Sequence, residues 1–222
     1  MLLAVDTSTT QVGIALYDGN TVIGETLWRG KLRHTTTLAP EISALFKRTN
    51  SDMDEITALG VALGPGSFTS LRVGLALMKG LAFSRNLPLI GIPTLDILAT
   101  AQPARDLRLA TVLQAGRGRL AVGYYIASPS GIWESDGDLS VMNVAELVES
   151  IHTPTLVCGE LLAEERELLE KNEWVELSSP SRSTRRPARL AELAWKRYQA
   201  ADTDDAASLS PIYLQVGAAI PS

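Results

Sequence analysis

The residues best placed to do chemistry lie at a turn, Leu63-Gly64-Pro65-Gly66-Ser67-Phe68-Thr69, that leads from an apolar strand into a nearly uncharged helix. Its glycines keep Cβ atoms out of the turn, and Ser67 or Thr69 can supply the oxygen that caps the first free helix amides. A bare helix N-terminus accepts anions. The same geometry also serves as a strand-to-helix connection without a ligand, and the residues leave both readings open. Arg182, Arg185, Arg186 and Arg189 form the one basic cluster that could meet phosphates. It contains Pro180 and Pro187 and lacks interleaved aromatics, so it reads as a solvated linker entering the last helix rather than an RNA contact. Cys158 and His152 could pair as thiol and imidazole, but Cys158 ends an apolar strand and reads as a buried, inert thiol. His34 and His152 have no histidine or cysteine at ligand spacing, which favours structural or solvated histidines over a metal site.

These residues must be positioned by a chain of 222 residues, 45% hydrophobic, with net charge −5. That field opposes polyanions, so direct nucleic-acid binding would need a local patch. The single cysteine excludes an intramolecular disulfide. No run reaches the roughly 20 apolar residues of a membrane span, and the opening Met-Leu-Leu-Ala-Val-Asp reads as a strand, so a reducing cytoplasm is expected. A short apolar run predicts a buried strand at 2–5, alternation a strand at 12–17 and a turn a third at 21–28; an apolar stripe predicts a helix at 37–48 with Pro40 in its first turn, and a strand follows at 58–63. A helix at 67–85, a strand at 87–92 and a short helix from Thr94 follow. After the polar stretch 102–106 the pattern restarts, with strands at 109–113, 120–126 and 132–139, a helix at 144–151, a strand at 155–157, an acidic helix at 161–171 and a last helix at 189–200. The prediction is an α/β chain of two similar lobes, 1–104 and 105–222, with mixed sheets and flanking helices.

Asp6-Thr7-Ser8, His34-Thr35, the run Gly64-Pro65-Gly66-Ser67-Phe68-Thr69-Ser70-Leu71-Arg72-Val73-Gly74, Leu89-Ile90-Gly91-Ile92 and, weakly, Pro211-Ile212-Tyr213-Leu214 together resemble the TsaB (YeaZ) family. That family comprises the non-catalytic relatives of TsaD, which makes threonylcarbamoyladenosine in tRNA. The resemblance implies the actin-like ATPase (ASKHA) fold, two duplicated lobes flanking a cleft. It also implies a TsaD-type catalytic partner, a TsaE-type ATPase in the complex, and a homodimer through the same helices when the chain is alone. Transfer RNA would be met only indirectly. The chain departs from the family at Ser70, where glycine is usual, at Gln114-Ala115-Gly116-Arg117-Gly118-Arg119, where Asp-Ala-Arg-x-Gly-Glu is usual, and at Gln215, where arginine is usual.

The metal-binding His-x-x-x-His of the catalytic relative aligns here with Thr94 and Leu98, which cannot replace two imidazoles. No catalytic residue and no metal are expected. In this fold phosphates lie between two hairpins, and Asp6, Thr7, Ser8, Gly64, Gly66, Ser67 and Thr69 could form a vestigial phosphate loop. The second hairpin lacks a carboxylate for Mg²⁺, so no cofactor is expected beyond weak or vestigial nucleotide binding. Asp6 could act as a general base or anchor a metal-bound water; its simpler role is to hydrogen-bond the following turn. The helix after Gly66 carries two apolar stripes, Leu71, Leu75, Met78 and Ala82 on one and Val73, Leu77 and Leu81 on the other, and a sheet can bury only one. By the resemblance this helix and its companion at 37–48 form the partner face. The expected interface residues are Leu38, Ile42, Leu45, Leu71, Arg72, Gly74, Leu75, Met78, Lys79 and Ala82. The rival reading is an independent actin-fold enzyme, a small-molecule kinase or glycoprotease-like hydrolase, which would need carboxylate and metal-ligand signatures that the chain lacks.

Overall fold

The computed structural model describes residues 1–30 and 34–214, apart from the side chains of residues 34 and 35. Gln215 and the His34 imidazole, both singled out above, lie outside what is described. The chain forms two compact units, Met1–Ala101 with Arg185–Ile212, and a second built on Gln102–Thr184.

The first unit runs β1 (Leu2–Asp6), β2 (Gln11–Tyr17), β3 (Val22–Arg29), α1 (His34–Thr49), β4 (Ala58–Gly64), α2 (Phe68–Arg85), β5 (Leu89–Pro93) and α3 (Thr94–Ala99). Its sheet has the order β3-β2-β1-β4-β5. The meander β1-β2-β3 is antiparallel, and β4 and β5 join parallel to β1. Alternate residues of β1 face opposite layers. Leu3 and Val5 join Leu38, Ile42, Leu45, Leu75, Met78 and Ala82 from α1 and α2. Leu2 and Ala4 face the other way, onto Leu190, Ala191 and Ala194. Those three belong to α6 (Pro187–Gln199), so the last helix returns to the first sheet.

That return corrects the expected boundary between 1–104 and 105–222. The second sheet-facing layer of the first unit comes from the far end of the chain, because α6 is small enough to sit close. A Cβ at Gly60 would lie 2.8 Å from the Ala194 Cβ, so glycine on β4 and alanine on α6 set the approach.

The second unit repeats the order: β6 (Arg108–Gly116), β7 (Arg119–Ala127), β8 (Trp133–Ser135), β9 (Ser140–Met142), α4 (Val144–Ser150), β10 (Thr155–Gly159), α5 (Ala163–Leu169) and β11 (Val175–Leu177). Its sheet runs β11-β10-β6-β7-β8, with β9 also paired to β7. As in the first unit, an antiparallel hairpin is followed by two parallel strands. β6 thus corresponds to β1, β7 to β2, β10 to β4 and β11 to β5, which makes the duplication visible in topology.

Three local expectations change. The strand foreseen at 132–139 breaks into β8 and β9 around Asp136-Gly137-Asp138, where Gly137 has φ +94°. β11 was not foreseen, since three residues are too few to show alternation. α1 begins at His34, which places the exposed Pro40 inside the helix rather than in its first turn.

Candidate functional site

The first unit brings the Asp6 hairpin and the Gly64 turn together. Asp6 closes β1 with its Oδ1 accepting the Ser8 N–H at 2.8 Å. Its Oδ2 accepts from Arg185 Nε, also at 2.8 Å. Arg185 Nη2 donates further to Thr9 Oγ1 at 2.9 Å and to the Gln11 carbonyl at 3.0 Å. The two charged side chains are 1% and 3% exposed. A pair this deep is tolerated because the guanidinium fork meets several oxygens at once. Arg185 therefore does not belong to a solvated linker; only Arg182, Arg186 and Arg189 of that cluster reach the surface. The missed signal was Asp6 itself, a lone carboxylate on an apolar strand that needed a counter-charge from somewhere.

The remaining hairpin groups bond to the turn. Thr7 Oγ1 donates to the Ser70 carbonyl at 2.7 Å. Ser8 Oγ shares a 2.7 Å hydrogen bond with Thr94 Oγ1, which also accepts the Gly64 N–H at 2.9 Å. The Ser67 N–H donates to the Ser8 carbonyl at 2.7 Å. Gly66 lies so close that any Cβ there would collide with that carbonyl. Ser67 is the N-cap of α2, with a long 3.5 Å contact from Ser70 N to its Oγ, while Thr69 is exposed. The expected residues are thus assembled, but Asp6, Thr7 and Ser8 are buried and satisfied by their own chain. Thr94 and Leu98 are fully buried, Thr94 as a bridge and Leu98 as core.

On α2 the exposure corrects the expected interface. Leu71, Gly74, Leu75, Met78 and Ala82 point inward, as do Leu38, Ile42 and Leu45 on α1. The sequence places these residues on the partner face, but this stripe is the one the sheet buries. The outward face of α2 carries Phe68, Thr69, Arg72, Ala76, Gly80 and Phe83, with Val73 and Leu77 half-buried beside it. Phe68 is 52% and Phe83 64% exposed. The Arg72 guanidinium lies 3.7 Å from the Phe68 ring centroid, over a cavity of about 450 Å³ lined by Phe68, Thr69, Arg72, Val73 and Ala76. Lys79 is half-buried, its Nζ donating to the Ala207 carbonyl at 3.2 Å.

In the second unit the hairpin tip turns through Arg117 at φ +56° and Gly118 at φ +67°, both exposed. Gln114, where the family carries aspartate, donates to Glu165 Oε2 at 2.7 Å. Cys158 is fully buried and burial pushes its thiol up to about 12; His152 is exposed and no hydrogen bond joins them. Among the described residues no group of three or more His, Cys, Asp and Glu side chains could hold a metal ion. No helix among them is long and apolar enough to cross a membrane.

The family model described as TsaD, tRNA N6-adenosine threonylcarbamoyltransferase, matches residues 30–149, more than half of the chain. The chain belongs to that family. Within the TsaD family it stands with the TsaB (YeaZ) members. It is 28% identical to the tRNA threonylcarbamoyladenosine biosynthesis protein TsaB of Bacillus subtilis, across 98% of this chain and 95% of that protein. With TsaB of Escherichia coli it shares 29% identity over 64% of this chain and 62% of that one. Among solved structures, YeaZ from Pseudomonas aeruginosa superposes with TM-score 0.76 at 22% identity, covering 96% of this chain and 99% of that one. EutJ of Carboxydothermus hydrogenoformans superposes at TM-score 0.55 and 14% identity over 86% and 88%. The fold is that of the actin-like ATPases, and the relatives tie the chain to tRNA threonylcarbamoyladenosine biosynthesis.

Proposed function

We propose that this chain is a non-catalytic partner subunit that binds and activates a TsaD-type enzyme for threonylcarbamoyl transfer to the adenosine beside the anticodon. The observation that carries this is the division of labour in the first unit. The hairpin that would face phosphate is closed by its own chain, while the outer face of α2 offers Phe68, Val73, Ala76 and Phe83 to solvent. The reading of this hairpin as a vestigial phosphate loop is supported by its own contacts: Asp6 is neutralised by Arg185, and the Ser67 and Ser8 amides bond to the hairpin's own oxygens. The loop is vestigial, and the chain works without nucleotide or metal of its own.

Small residues at Ala76 and Gly80 let a partner helix come close, and the flanking aromatics supply the buried area that anchors an interface. The partner surface is therefore the outer face of α2, with Arg72 at its start and the exposed Ala39 and Ser43 of α1 alongside. The same face permits a homodimer when the catalytic subunit is absent. A TsaE-type ATPase joins the pair, tRNA is met through the catalytic subunit, and the work takes place in the cytoplasm.

Titration of this chain into the purified TsaD-family subunit of the same organism tests the reading. Wild type binds, and Ala76→Glu, which puts a charge on an exposed helix position without touching the core, weakens binding at least about tenfold. Equal affinity of the two proteins moves the interface off α2.

A further inference from the structure

We infer that the closed Asp6–Thr9 hairpin is the mount that sets the position of α2 as a partner helix, with Arg185 and Thr7 as its positioning residues. The inference rests on the proposed partner face and goes further by naming what holds that face in place. α2 is fixed to the hairpin along its first two turns. The Ser67 N–H bonds the Ser8 carbonyl, the Thr7 hydroxyl bonds the Ser70 carbonyl, and Gly74 packs on the Thr7 side chain so tightly that a Cβ would collide with it. These contacts lie under Phe68, Thr69, Arg72 and Val73, which line the exposed cavity.

The hairpin is in turn held from the opposite side. Arg185, two residues before α6, ties Asp6, Thr9 and the Gln11 carbonyl into one buried cluster. The chain from α6 to α2 is thus continuous: guanidinium, carboxylate, hairpin backbone, Thr7 hydroxyl, first turns of α2. Every link is buried, and in such surroundings an alternative arrangement would leave polar groups without partners, so the helix start has one position. Preorganisation of this kind raises affinity by reducing the freedom lost on binding.

The decisive variant is Thr7→Val, which keeps the shape and removes only the hydroxyl that reaches α2. Its expected signature is a rise of about tenfold in hydrogen exchange at the amides of residues 71–75 in the free protein, with β1 and β4 amides unchanged, and a loss of about five- to tenfold in affinity for the TsaD-family subunit. The paired variant Asp6→Asn/Arg185→Gln, which removes both charges and so strands neither, lowers the stability of the whole unit somewhat, and its signature is a rise at residues 71–75 that exceeds the rise at the β1 and β4 amides about tenfold. Unchanged exchange in α2 for both variants overturns the inference, as does a rise spread evenly over the unit. Ala76→Glu serves as the control for the face itself. If it also binds like wild type, the partner face is wrong, and the exchange pattern still decides the mount; if it fails to bind while both hairpin variants bind normally, the face stands and the mount falls.

Discussion

Arg185→Gln removes the cation from a carboxylate that has no route to water. Asp6 is 2% exposed, and besides the guanidinium its hydrogen-bond partner is the Ser8 amide. Losing one member of such a pair strands the other as an uncompensated charge, at about 3–5 kcal/mol. The glutamine also withdraws the Arg185 donors from the Gln11 carbonyl and from Thr9 Oγ1, the latter keeping the Gln11 amide at 3.1 Å, which adds to the loss within that range. For a chain of this size, each kcal/mol moves the midpoint by roughly 2–4 °C, so the melting temperature should fall by about 10–15 °C. Asp6→Asn/Arg185→Gln, with both charges gone, should recover about half of the loss, because an amide pair can hydrogen-bond without stranding a charge. Urea unfolding of the two single variants and the double variant reads this directly as a coupling energy. A single variant within about 1 kcal/mol of wild type, or strict additivity in the cycle, would refute the account of Arg185 as the buried counter-ion.

Met78→Ala should cost about 2–5 kcal/mol in urea unfolding, since Met78 is fully buried, whereas Phe83→Ala at a 64% exposed position should stay within about 0.5 kcal/mol. Asp205 is held below its ordinary 3.8, first by the Ala207 amide and then by the Ser208 hydroxyl. Its depressed folded pKa means that its contribution is present above the unfolded value and is lost as pH falls through the folded one. The turn at residues 205–208 should therefore loosen only below about pH 3.8, read as faster amide exchange at Ala207 and Ser208. Cys158 should resist a thiol reagent at neutral pH in the native protein and react at once in urea, because burial raises its thiol to about 12.

Much of the first unit was legible in the chain. A short apolar run wrote out β1 and alternation wrote out β2, the Gly-Pro-Gly turn marked the β4–α2 junction, and two apolar stripes on α2 announced that one side would be left over. Which residues make the outer face was not legible: Val73, Leu77 and Leu81 are half-buried against the same core, and the exposed face falls between the stripes, at Phe68, Arg72, Ala76, Gly80 and Phe83. Leu71, Leu75, Met78 and Ala82 are the larger set and looked fit for a partner, yet the sheet takes the larger stripe because burial of that area stabilises the fold before any partner arrives. Arg185 was also hidden, since its carboxylate lies 179 positions away and nothing local distinguishes it from its exposed neighbours Arg182, Arg186 and Arg189. The return of α6 to the first sheet escaped for a similar reason: its small residues match Gly60 and Ala62, but helical periodicity alone names no target. In the second unit, short strands such as β8, β9 and β11 carry too few residues for a period to show.

Under the proposed function the chain supports another subunit's chemistry and performs none itself. The direct measurement is threonylcarbamoyl incorporation into tRNA by the purified TsaD-family and TsaE-type subunits, with this chain present, omitted, or alone. Incorporation that depends on the chain, falls with Ala76→Glu and is absent with the chain alone is the predicted result. Incorporation unchanged on its omission, or carried out by the chain alone, would contradict it.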